Sequence, residues 1–160
     1  MKKEYLLAEK LYRLLKEKSL TVSTAESCTG GLIGAALTSV PGMSECYGYG
    51  VVTYANSAKE ELLKVKETTL AKCGAVSPDT AKQMAEGVMA LSGSDIAVSV
   101  TGIAGPTGAT LDKPVGLVYI GLAVSGKETQ VFKNIFSGDR DTVRKSTVLK
   151  ALEIIIENIN

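Results

Sequence analysis

The chain has 160 residues, 45% of them hydrophobic, with 18 basic and 17 acidic side chains and a formal charge of +1. That is the size of one ordinary globular domain, able to bury roughly 70% of its unfolded surface without disulfide or metal staples. The charge balance lacks the broad cationic footprint of a nucleic-acid binder. The absence of histidine excludes a Ser/His/Asp triad, a Cys/His dyad and any imidazole-based zinc site.

Residues 4–18 place Leu7, Leu11, Leu14 and Leu15 at helical spacing among Lys and Glu, which predicts an amphipathic helix. Glu4 and Glu9 interrupt its apolar stretch, unlike a signal peptide, and no stretch reaches the ~20 apolar residues of a membrane span. Cys28, Cys46 and Cys73 form neither a disulfide framework nor a CxxC motif, so a cytoplasmic setting is expected.

LTVSTAES then reads as a strand, CTGG as a glycine turn and LIGAALTSV as a helix of small residues, ended by Pro41-Gly42. CYGYGVVTY is a second strand, and SAKEELLKV with ETTLAKCG predicts one or two short helices. SPDTAKQMAEGVMAL starts a helix with Ser77 as N-cap and Pro78 at the first position. SDIAVSVTG is a buried strand, followed by the loop GIAGPTGATLDKP and a hairpin of VGLVYIGLAV and TQVFKNIF. The last helix is capped by Asp139 or Ser137 and keeps apolar spacing to Ile159. The order predicts a three-layer α/β/α fold over residues 1–160, with a mixed sheet of about five strands, since the hairpin makes at least one strand antiparallel.

Ligands of open α/β sheets collect at the carboxyl ends of strands. Four segments fall there: Ala25–Gly31, Thr53–Lys59, Thr101–Thr110 and Ser137–Arg144. Ser27, on a strand-to-helix turn, is either a nucleophile or a helix N-cap, and Cys28 beside it is either a second candidate nucleophile or a buried hydrophobe. Thr29, Gly30 and Gly31 offer backbone N–H groups to an anion or oxyanion, or simply allow close helix packing. Lys59 is a candidate general base where histidine is lacking, or an ordinary solvated lysine. Thr101, Gly102 and Gly105 supply a hydroxyl and a turning backbone. Arg140 and Arg144, four apart on one helical face, would clamp a phosphate or carboxylate, or pair with surface acids. Glu26, Asp139 and Asp141 are better explained by strand alternation and helix N-termini than by metal binding.

Taken together, AESCTGG, GVVTYANSAK, GAVSPDTAKQMAEG, SVTGIAGPTGATLDKPVGLVYIG and FSGDRDTVR resemble, in order and separation, the CinA carboxy-terminal domain family, whose active members are nicotinamide-nucleotide amidases. The resemblance implies hydrolysis of nicotinamide mononucleotide to nicotinate mononucleotide and ammonia, without metal or cofactor. It matches Ser27 to the family's nucleophilic serine, Lys59 to its lysine as general base, and Tyr54, Thr101 and Arg140 to positioning or charge-stabilising residues. One departure is Ala109, where the family commonly has a second glycine; a positive φ there would strain an alanine. Some family members are fused behind a nucleotide-pyrophosphatase domain, and a free-standing copy is expected to be the amidase. The expected partner is a pyridine mononucleotide, with a homodimer possible and neither nucleic acid nor membrane involved. The competing expectation is a non-catalytic nucleotide-binding or protein-interaction module.

Overall fold

The computed structural model describes residues 2–160. Helix α1 (Lys3–Lys18) leads to β1 (Val22–Glu26), α2 (Leu32–Thr38), a short 3-10 turn (Met43–Glu45) and β2 (Tyr47–Val52). Helices α3 (Asn56–Leu63), α4 (Glu67–Cys73) and α5 (Pro78–Ser92) follow, then β3 (Ile96–Gly102), β4 (Leu117–Val124), β5 (Gln130–Ile135) and α6 (Arg140–Ile159). The stretch after Asn56, expected to hold one or two short helices, holds two, divided at Lys64, which adopts a left-handed conformation with φ 58°. The helix after the first strand ends at Thr38, before Pro41 is reached.

The sheet order is β2-β1-β3-β4-β5, with β1 parallel to both β2 and β3 and the pairs β3/β4 and β4/β5 antiparallel. Strand alternation sends large side chains to one face: Ile96, Val98 and Val100 of β3 join Leu11, Leu15, Ile33, Leu152 and Ile155 in the core under α1, α2 and α6. The other face carries small residues, and α5 lies close against it. Ala97 packs on Met84 and Ala85 there, and the Ser99 hydroxyl donates to the Ala81 carbonyl at 2.5 Å. Gly121 of β4 is dictated by the same approach, since a Cβ on it would stand 2.5 Å from the Ala81 carbonyl oxygen.

This topology decides where a site forms. The chain leaves β1 by way of α2 toward β2, on one face, and returns from β2 to β3 by way of α3–α5 on the other. Beyond β3 it moves away toward β4. The carboxyl ends of β1 and β3 are thus neighbours whose connections diverge, which opens a crevice between them. Ser27 N donates to Val100 O and Thr53 N to Glu26 O, so the chain segments leaving all three parallel strands meet at that crevice.

Candidate active site

Ser27 is the first residue beyond β1, and a turn buried from Ser27 to Thr29 and exposed at Gly30 carries the chain from it to α2. Gly30 and Gly31 bend that turn with φ of +59° and +101°, conformations that side-chain-bearing residues rarely adopt. The helix begins only at Leu32, with Gly31 at the N-cap position, so Ser27 is not a cap. Capping falls instead to Glu26, which is 2% exposed. Its carboxylate accepts from the amides of Ile33 (2.8 Å) and Gly34 (3.0 Å) and from the Thr29 hydroxyl (2.6 Å). The first amides of α2 are therefore occupied, and the Thr29 side chain is committed to Glu26. Thr29, Gly30 and Gly31 are thus not a free helix N-terminus, and none of the three lines the cleft around Ser27.

Lys59 lies on α3 but points inward and is 1% exposed, the largest fully buried side chain. Its Nζ donates to the Thr53 carbonyl at 2.6 Å and to Ser27 Oγ at 3.1 Å. Burial, which penalises the ammonium, holds its pKa below the ordinary 10.5. Cys28 is buried too, and burial pushes its thiol up to about 12, leaving it protonated and poorly nucleophilic at neutral pH. Of the two adjacent candidates, the geometry favours Ser27.

Around this pair lies a cleft of about 210 Å³, lined by Ser27, Lys59, Tyr54, Thr101, Gly102 and Arg140 among others. Tyr54, 64% exposed, stands at its mouth, and its hydroxyl accepts from Arg140 Nη2 at 3.2 Å. Arg140 Nη1 also donates to the Gly105 carbonyl at 2.8 Å, tying the start of α6 to the central loop. Gly105 has φ +80°, and a Cβ there would meet Val115 Cγ1 at 2.5 Å. Gly102 is equally confined, since its Cβ would lie 2.6 Å from Val118 Cγ2. Thr101 reaches the cleft wall while its hydroxyl donates to the Ala75 carbonyl at 2.6 Å, anchoring the α4–α5 loop. Ala109 does not adopt a positive φ, whereas Gly108 before it does at +96°, so the alanine carries no backbone strain.

The expected pairing of Arg140 with Arg144 as a clamp does not form. Arg144 turns to the serine turn, donating from Nε to the Cys28 carbonyl (3.1 Å) and from Nη2 to the Thr29 carbonyl (3.2 Å). Like the Thr53 carbonyl that holds Lys59, these are backbone acceptors, which leave no mark in a sequence. The capping role of Glu26 had one sequence signal, an acid immediately before a glycine turn into a helix. A larger groove of about 480 Å³ between α1, α2 and α6 is mainly apolar and brings no nucleophile and base together.

These features define a class: a three-layer α/β/α domain with a buried serine–lysine pair at the switch point of its sheet. The chain belongs to the CinA C-terminal domain family, whose model matches residues 4–159. It is 58% identical over 149 residues to a "CinA-like protein" of Endomicrobium trichonymphae, covering 93% of this chain and 35% of that protein. A "CinA-like protein" of Kosmotoga olearia is 49% identical over 149 residues, again 93% of this chain and 36% of the relative. The chain thus spans about a third of the length of these curated relatives. Among solved structures, the competence/damage inducible protein CihA from Agrobacterium tumefaciens superposes with TM-score 0.95 at 42% identity, covering 98% of this chain and 96% of that one. The competence damage-inducible protein A from Klebsiella pneumoniae gives TM-score 0.94 at 36% identity, with 98% and 96% covered.

Proposed function

We propose that this chain is a nicotinamide-nucleotide amidase, converting nicotinamide mononucleotide to nicotinate mononucleotide and ammonia. The observation that carries the reading is the buried Lys59 Nζ at 3.1 Å from Ser27 Oγ, with the Lys59 pKa lowered by burial. A neutral amine held there by the Thr53 carbonyl accepts the serine proton, which a surface lysine at its ordinary pKa does not do.

Ser27 Oγ attacks the carboxamide carbon and its proton passes to Lys59 Nζ. The resulting tetrahedral oxyanion collapses with cleavage of the C–N bond, and the leaving nitrogen takes the proton from Lys59 and departs as ammonia. Water then attacks the acyl ester, giving one proton to Lys59, which returns it to Ser27 Oγ as the C–O bond to serine breaks; the carboxylic acid product gives its remaining proton to solvent and leaves as the carboxylate. Arg140, at the cleft mouth with Tyr54, faces the substrate's phosphate, and Gly102 and Gly105 let the central loop lie close to the ligand. The reading of Ser27 and Lys59 as a mere cap and a surface charge, on which a purely non-catalytic module would rest, has no counterpart in the geometry.

The test is ammonia release by the purified chain, in EDTA, from nicotinamide mononucleotide, nicotinamide riboside and nicotinamide. Turnover mainly of the mononucleotide, lost in Ser27→Ala, supports the reading; release that survives Ser27→Ala refutes it.

A further inference from the structure

We infer that Arg144 is a positioning residue: by holding the carbonyls of Cys28 and Thr29, it orients the amides beside Ser27 as donors to the oxyanion. This rests on the amidase reading of the same site. In a trans peptide the C=O and N–H point in opposite directions, so fixing one fixes the other. Arg144 Nε on the Cys28 carbonyl sets the peptide that carries the Thr29 N–H, aiming it away from α6. Arg144 Nη2 on the Thr29 carbonyl sets the next peptide, whose Gly30 N–H donates to the Ser27 carbonyl at 3.1 Å. That last bond in turn fixes the peptide carrying the Cys28 N–H.

One guanidinium thereby orders three consecutive peptides immediately after the nucleophile. Among the described residues, the amides of Cys28 and Thr29 meet no backbone acceptor, and Cys28 itself lines the cleft, so its amide is the nearer donor and that of Thr29 the next behind it. Gly30 adjoins the same device: its φ of +59° favours glycine, and a Cβ there would sit 3.3 Å from Arg144 Nη2, so the guanidinium would have to shift by a few tenths of an ångström. The planar fork is needed because two carbonyls on successive residues are bound at once, which an ammonium at one point does not reproduce. Among the described residues, the hydrogen bonds of Arg144 go to the Cys28 and Thr29 carbonyls and those of Arg140 to Gly105 and Tyr54, so the partners that hold Lys59 and Arg140 are kept when Arg144 is lost.

The experiment compares wild type, Arg144→Gln and Arg144→Lys by two readouts: steady-state ammonia release from nicotinamide mononucleotide, and the rate at which a fluorophosphonate probe modifies Ser27, followed by mass. In the probe reaction Ser27 Oγ bonds to phosphorus, fluoride leaves and Lys59 takes the proton, while the phosphoryl oxygen occupies the oxyanion position. Arg144→Gln is expected to lower kcat about 10²-fold, the scale of one lost oxyanion donor, with KM and the pH profile unchanged and probe labelling slowed in parallel. Arg144→Lys is expected to fall between, and carries the test if the glutamine variant does not fold. Wild-type kcat and labelling in both variants, or a raised KM at unchanged kcat, overturns the inference. A wild-type chain that labels at Ser27 but releases no ammonia refutes the amidase reading, while the labelling ratio still decides the role of Arg144. A wild-type chain that does neither refutes both.

Discussion

Lys59 Nζ and Ser27 Oγ stand 3.1 Å apart although 32 residues separate them in the chain, and only the parallel pairing of β1 with β2 brings them together. Glu26 pairs with Val52 at the last rung of that ladder, so the residues just beyond each strand, Ser27 and Thr53, emerge side by side. The Thr53 carbonyl then holds the amine that α3 delivers.

Ser27→Ala is expected to abolish turnover while leaving stability within about 1 kcal/mol of wild type, because Ser27 caps no helix and, among the described residues, its hydroxyl is hydrogen-bonded only to Lys59. Equilibrium urea unfolding checks the second half. A loss well above 1 kcal/mol would mean that the hydroxyl is structural.

Glu26→Ala is expected to behave in the opposite way. It strands the Ile33 and Gly34 amides and the buried Thr29 hydroxyl without an acceptor, a loss of about 1–3 kcal/mol for the first unsatisfied donor alone. Urea midpoints should fall accordingly, and Glu26→Gln should recover part of the difference, since an amide oxygen still accepts.

Much of the scaffold was legible in the sequence. Strand patterning, the hairpin at Ser125-Gly126 and the Ser77 cap with Pro78 behind it all depend on neighbours within a few residues, and Ser77 Oγ does accept from the Thr80 amide. The convergence of Ser27, Tyr54, Lys59, Thr101 and Arg140 followed from the rule that sites gather at strand carboxyl ends. What sequence did not carry was the direction of long side chains. Arg140 and Arg144 share a helical face, yet one reaches the cleft mouth and the other a pair of carbonyls over a hundred residues away in the chain. The burial of Lys59 is of the same kind, because a lysine amid charged neighbours on a short helix reads as solvated until the sheet beneath it is known.

Gly87 tests the close approach of α5 to α3, the helix that carries Lys59. A Cβ on it would lie 2.0 Å from the Leu63 carbonyl oxygen, a backbone atom that has no rotamer by which to move. Gly87→Ala should therefore destabilise the fold by about 1–3 kcal/mol, in spite of alanine's better helix propensity. A stabilised Gly87→Ala protein in thermal unfolding would contradict the packing described.

Arg140→Ala removes the cation at the cleft mouth and its hydrogen bonds to Tyr54 and Gly105. With nicotinamide mononucleotide, KM should rise by tenfold or more, whereas with the riboside, which lacks the phosphate, wild type and variant should differ far less. Equal losses on both substrates would assign Arg140 to loop anchoring instead.

The state of Lys59 links activity and stability to pH with definite signs. Its folded pKa lies below 10.5 because burial penalises the ammonium, so the neutral amine that the proposed mechanism requires gains population as pH rises. Turnover at saturating substrate should accordingly climb with pH through one ionisation. Between the folded value and 10.5 the unfolded chain binds more protons at this residue than the native one, so the contribution of Lys59 to stability also rises with pH in that window. Below the window the full cost of burying the ammonium is felt, and a Lys59→Met protein, inactive and without that charge, should be more stable relative to wild type there than at pH 10. Lys59→Arg separates base from mere charge: a guanidinium stays protonated throughout this range, so the variant should be as inactive as Lys59→Ala at every pH. Appreciable turnover in Lys59→Arg with an unchanged pH profile would remove Lys59 as the base and leave Tyr54, whose phenol also lines the cleft, to be examined in its place.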